Sequence, residues 1–67
     1  MQETIESWAC RFGYPISIYY NEDNIWGFAL RTDTIEVPHL QALQEKCKPQ
    51  KVYIHSRNEN ELNITIM

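Results

Sequence analysis

Apolar residues in the first twelve positions recur with a helical period. Ile5, Trp8, Ala9 and Phe12 fall at i, i+3, i+4 and i+7, and Glu3, Glu6 and Arg11 lie off that stripe. Glu3 and Glu6 sit in the first turns, where the helix dipole favours anions. Gly13 can take the left-handed conformation that ends a helix, and Pro15 prevents its resumption. The period then changes to two. Ile16, Ile18 and Tyr20 alternate with Ser17 and Tyr19, a strand pattern rich in β-branched and aromatic residues. Asn21-Glu22-Asp23-Asn24 has turn chemistry. Ile25 to Arg31 returns as a second strand, with Trp26, Phe28 and Leu30 on one face and Gly27 and Ala29 on the other.

The same order repeats after a linker from Thr32 to Val37. Pro38 suits the first turn of a helix. Leu40, Leu43 and Cys47 follow at helical spacing, Lys46 and Lys48 complement the C-terminal dipole, and Pro49 closes the segment. Val52 and Ile54 alternate with Lys51, Tyr53 and His55. Arg57-Asn58-Glu59-Asn60 reads as a turn, and Leu62, Ile64 and Ile66 form a last alternating strand. Setting Ile16 on Val52 also sets Ile18 on Ile54, Trp26 on Leu62, Phe28 on Ile64 and Leu30 on Ile66. The helical segments align one residue closer, Ile5 on Leu40 and Trp8 on Leu43. One residue is therefore inserted between helix and strand in the second copy.

These patterns predict a single α+β domain over residues 1–67, with pseudo-repeats 2–31 and 38–67. The fold class is a two-layer sandwich of order αββαββ, with a largely antiparallel four-stranded sheet and both helices on one face. The strand order does not follow from the pattern. The expected inner face holds Ile16, Ile18, Trp26, Phe28, Leu30, Val52, Ile54, Leu62, Ile64 and Ile66, packed on Ile5, Trp8, Phe12, Leu40 and Leu43. Trp8 and Trp26 are expected to be core anchors. Loop length conflicts with this assignment. A four-residue turn NEDN would send Trp26 to the face opposite Ile18, and the second hairpin has the same conflict between Ile54 and Leu62. Burial should decide register. The first turn is thus expected to have three residues, or its hairpin a bulge that absorbs one.

The outer face would carry Ser17, Tyr19, Gly27, Ala29, Arg31, Lys51, Tyr53, His55, Arg57, Glu61, Asn63 and Thr65. Its three basic residues against one acid give a locally basic sheet on a chain whose net charge is −3. Tyr19, Arg31, Lys51, Tyr53, His55 and Arg57 are therefore the candidate binding residues. Three readings of the face compete. An antiparallel sheet commonly turns one polar face to water, with no further role. Tyrosine and arginine are enriched at protein interfaces, so a protein partner or a second copy of the chain fits. A stacking platform for single-stranded nucleic acid is the alternative, opposed by the acidic turn tips Glu22, Asp23 and Glu59. The last strand ends at residue 66 with no covering tail, and a free edge there would invite pairing.

Composition narrows the chemistry further. A 67-residue domain has a small core and little room for a water-excluding cleft. Cys10 and Cys47 form no C-x-x-C pair and no zinc spacing, and reduced thiols in a cytoplasmic protein are expected, with pairing of the two left open. No signal-peptide pattern or membrane-length apolar run occurs. His39 and His55 lack a nucleophile or orienting carboxylate at a recognised spacing. A small hydrolase using His55 or Cys10 would require a deep pocket around one of them. Glu22, Asp23, Asp33 and Glu36 lack the spacing and central glycine of an EF-hand, and Gly13 and Gly27 form no phosphate loop. Neither a catalytic residue, a metal site nor a cofactor is expected. The sequence thus predicts a small non-enzymatic binding or regulatory protein that acts through a sheet face or strand edge.

Overall fold

The structure, a computed structural model, describes every residue except Asp33 and Glu59, and every strand side chain except those of Ser56 and Arg57. The element order is α1 (Gln2–Phe12), β1 (Ile16–Glu22), β2 (Ile25–Leu30), α2 (Val37–Cys47), β3 (Val52–Arg57) and β4 (Leu62–Ile66). It is the expected α+β order, αββαββ, on one four-stranded antiparallel sheet. Gly13 ends α1 with φ 76° and ψ 27°, the left-handed cap that its lack of a Cβ permits.

The sheet order is β1-β2-β4-β3. The last strand is therefore central, and the free edges are β1 and β3, which corrects the expectation of an open edge at β4. Each pairing of the second hairpin repeats one of the first, displaced by 36 residues: Ile16↔Leu30 becomes Val52↔Ile66, Ile18↔Phe28 becomes Ile54↔Ile64, and Tyr20↔Gly27 becomes Ser56↔Asn63. β2 and β4 are neighbours, and Phe28 faces its own counterpart Ile64. A pseudo-twofold axis therefore runs between these two residues, perpendicular to the sheet.

The register conflict is resolved by a bulge. In β1 the pairing skips Tyr19, between Ile18 and Tyr20, and in β3 it skips His55, between Ile54 and Ser56. Both bulges fall at the same place in the repeat. The first turn contains neither four nor three residues but two, Asp23 and Asn24, whose φ values of 52° and 65° match the turn that suits strand twist. The extra residue shifts the inside–outside phase by one. Ile18 and Trp26 therefore share a face despite the short turn. Tyr20 is moved to the outer face, opposite Gly27, although simple alternation places it with Ile16 and Ile18. The second loop is tied by Asn58, whose Oδ1 accepts the N–H groups of Asn60 (3.2 Å) and Glu61 (3.1 Å).

The core lies between helices and sheet. Ile5, Trp8, Ala9, Leu43 and Cys47 meet Phe28, Leu30, Leu62, Ile64 and Ile66, all buried. Trp8 is the anchor that the pattern predicts. Trp26 is only half-buried at the rim, beside Met1, Gln2 and Glu6. Ile54 departs further from expectation: it belongs to the inner row yet remains 42% exposed, because it lies on an edge strand. Cys10 is exposed and Cys47 is buried, and both are free thiols. Burial raises the Cys47 thiol above its usual range, against a smaller opposing effect of the nearby N-terminal ammonium. No described helix is long and apolar enough to cross a membrane.

Candidate functional site

The two bulges shape the outer face. Tyr19, pushed out of the ladder, lies across β2, and its hydroxyl donates to Asn63 Oδ1 on β4 at 3.1 Å. A Cβ built on Gly27 would lie 3.1 Å from the Tyr19 ring and 3.2 Å from Tyr20 Cβ. Glycine at position 27 is what lets the ring lie flat there. Tyr19, Tyr20, Ile25, Gly27, His55 and Thr65 line an open depression of about 280 Å³. Tyr19 and His55, the two bulge residues, are thus brought to one patch. Tyr20 and Ile25 belong to it as well. The sequence does not signal either residue: nothing in it marks the bulge that turns Tyr20 outward, and Ile25 only opens its strand.

The other candidates lie elsewhere. Tyr53 and Lys51 line a second depression of about 430 Å³ beside the β3 edge, with Gln44, Lys48, Pro49, Gln50 and Val52. Arg31 follows β2 at the far end of the sheet, where its N–H bonds to Pro15. Lys51 and Arg31 are therefore at opposite ends, and the structure does not collect them into one basic patch. Arg57 pairs with Leu62, a core position, because the bulge shifts the phase after His55. The side chain of Arg57 lies outside the described residues.

A cluster not anticipated from sequence joins the two halves. Tyr14 Oη lies 2.6 Å from His39 Nδ1 and accepts the Glu36 N–H at 3.2 Å. Trp8 Nε1 donates to the His39 carbonyl at 2.8 Å. The His39 ring stacks on Phe12 with centroids 4.2 Å apart, and Trp8 stacks on Tyr14 at 5.2 Å. The Glu36 carboxylate reaches His39 Nδ1 at 3.7 Å. Histidine, phenol and carboxylate meet here, and the bonds they make hold the start of α2 against the end of α1. The chain signal was weak: Tyr14 stands in a linker, and the i, i+3 pair Glu36 and His39 looks like ordinary helix entry.

Among the described residues, no group of three or more His, Cys, Asp and Glu side chains is placed to hold a metal ion. Of the acidic residues weighed for a hard cation, Asp33 lies outside the described set. Comparison with protein families, curated proteins and solved structures finds no match for this chain.

Proposed function

We propose that this is a small, non-enzymatic binding protein that acts on a macromolecular partner through the outer sheet face and the edge strands. One observation carries the reading. Among the described residues, six large apolar or aromatic side chains are exposed: Tyr19, Tyr20, Val37, Tyr53, Ile54 and Met67. Four of them lie on β1 and β3, the two unpaired edges, and three of those four are tyrosines. Tyrosine contributes a large rigid contact area at low entropic cost, which is why it concentrates at interfaces. The small size of the core and the open form of the depressions agree with binding rather than chemistry. A protein partner fits the mixed apolar and tyrosine surface, and a second copy of the chain would use the same strands.

A single-stranded nucleic acid is the second reading, favoured by Lys51 beside Tyr53. The separation of Arg31 from Lys51 and the acidic tip at Glu22 and Asp23 count against it. The test is a photo-cross-linking amino acid placed at position 20, at position 53 or, as control, at the exposed helix position Gln41, in cells that make the protein. The expected result is one discrete protein adduct from positions 20 and 53, competed by unlabelled protein, and none from position 41. Equal labelling at all three positions would overturn the reading. Salt-dependent binding of a labelled oligonucleotide, lost on replacing Tyr53 and Lys51, would transfer it to nucleic acid.

A further inference from the structure

We infer that the β3 edge accepts an extended acidic segment of a partner protein as a fifth strand of the sheet, an inference that rests on the binding role proposed above and names its partner. The first ground is the ladder. The Met67 N–H bonds to the Lys51 carbonyl at 3.0 Å. In an antiparallel pair the bonded residues alternate, so the main chain of Lys51 and Tyr53 turns inward to β4. The N–H and C=O groups of Val52 and Ile54 turn outward, to the open side. The bulge at His55 ends this regular stretch.

The second ground is what flanks those groups. Val52 and Ile54 belong to the inner row, and Ile54 is 42% exposed there, which is unusual for an isoleucine of the core face. A neighbouring strand would cover it with an apolar side chain. On the outer side stand Lys51, Tyr53, which is 46% exposed, and His55. The adjoining depression of about 430 Å³ contains space for side chains between the edge and the end of α2.

Charge then selects the occupant. The net charge of the chain is −3, yet Lys51 and His55 stand on the outer side of this edge and Lys48 and Lys51 both line the adjoining depression. Lys48 is partly neutralised by Glu45, whose carboxylate it contacts at 2.5 Å. Lys51 has no such neighbour among the described residues. The opposite edge, β1, ends in Glu22 and Asp23 and offers no comparable field. A segment alternating apolar residues with acids would set the apolar ones on Val52 and Ile54 and the acids beside Lys51 and His55. Main-chain bonds supply affinity in such strand addition, and the alternate side chains supply specificity.

The test uses the full chain and a fluorescent, end-blocked eight-residue peptide that alternates valine with glutamate, against the same peptide with lysine for glutamate. The acidic peptide is expected to saturate the protein below about 1 mM, and the basic one not to bind. Amide exchange should slow at Val52 and Ile54, and shifts should centre on β3. Lys51→Glu should weaken binding about tenfold. Ile54→Pro removes an outward donor and leaves the β4 ladder intact, and it should abolish binding with the melt retained. If Ile54→Pro does not fold, Lys51→Glu decides alone. Equal binding of both peptides, or no binding, overturns the inference. Shifts centred on Tyr20, Gly27 and Thr65 would also overturn it, while leaving the outer face as the binding surface. Concentration-dependent protection of the same β3 amides without peptide would assign the edge to a second copy and overturn the foreign partner.

Discussion

Replacing Trp8 by alanine is the most demanding single perturbation of this fold. The side chain is fully buried. It stacks on Tyr14 at 5.2 Å and meets Phe12 and Phe28 edge-on at 6.3 and 6.4 Å. Truncating a buried tryptophan costs about 3–5 kcal/mol in lost transfer energy and cavity formation. The lost Nε1–H bond leaves the half-buried His39 carbonyl short of a partner, which adds on the order of 1 kcal/mol. Total stability for a chain this long is about 3–10 kcal/mol at typical values per residue. Trp8→Ala is therefore expected to lose about 4–6 kcal/mol, which unfolds the chain if its stability lies in the lower half of that range. Trp8→Phe keeps a ring in the cavity, loses the hydrogen bond and should cost about 1–2 kcal/mol. Urea titration with circular dichroism measures both, and Trp26 remains as an independent fluorescent reporter. A Trp8→Ala midpoint within about 1 kcal/mol of the parent would refute the packing described for the two halves.

Three further outcomes follow from local geometry. Gly27→Val should displace the Tyr19 ring and cost about 1–3 kcal/mol through overpacking, whereas Ser17→Val, on an exposed outer position of the same hairpin, should cost little; thermal melts of both variants separate the two. Asn58→Ala removes the acceptor that ties two N–H groups of the second loop and should cost about 1 kcal/mol in a denaturant melt. Cys10 should react with a thiol reagent at once and Cys47 only through opening of the fold. The Cys47 pKa is raised by burial, so its contribution to stability is fully present below the ordinary thiol value of about 8.5 and falls as pH rises from there toward the folded value. Cys47→Ala should remove that alkaline loss, and a pH series of denaturant melts checks it.

Most of the fold was legible because burial and periodicity agree over long stretches. The stripe Ile5–Trp8–Phe12 and the alternation Phe28–Leu30 and Ile64–Ile66 each match a single element, and the repeat spacing carried both hairpins. The strand order was not legible, because the linker after β2 constrains neither edge. The bulges were legible only as a conflict of parity. Nothing in the residues Tyr19 or His55 marks them as bulged, yet their positions decide that Tyr20 faces outward and that Arg57 pairs with Leu62. Ile54 shows the limit of pattern reading: an apolar residue in phase with the core stays exposed when no strand or helix lies beyond it. Of the candidate site, Tyr19 with His55 and Lys51 with Tyr53 were brought together, and Arg31 was not. The Tyr14–His39 joint went unseen because it forms between residues 25 apart, across the turn from α1 to the sheet and the entry to α2.

The single skipped residue in each edge strand fixes which side chains leave the core and which main-chain groups of that edge turn outward. Cross-strand nuclear Overhauser contacts measure it directly. Contacts joining Tyr20 to Gly27 and Ser56 to Asn63 at the main chain, with Phe28 opposite Ile64, are the expected result. A continuous ladder that instead sets Tyr19 opposite Gly27 and His55 opposite Asn63 would contradict it.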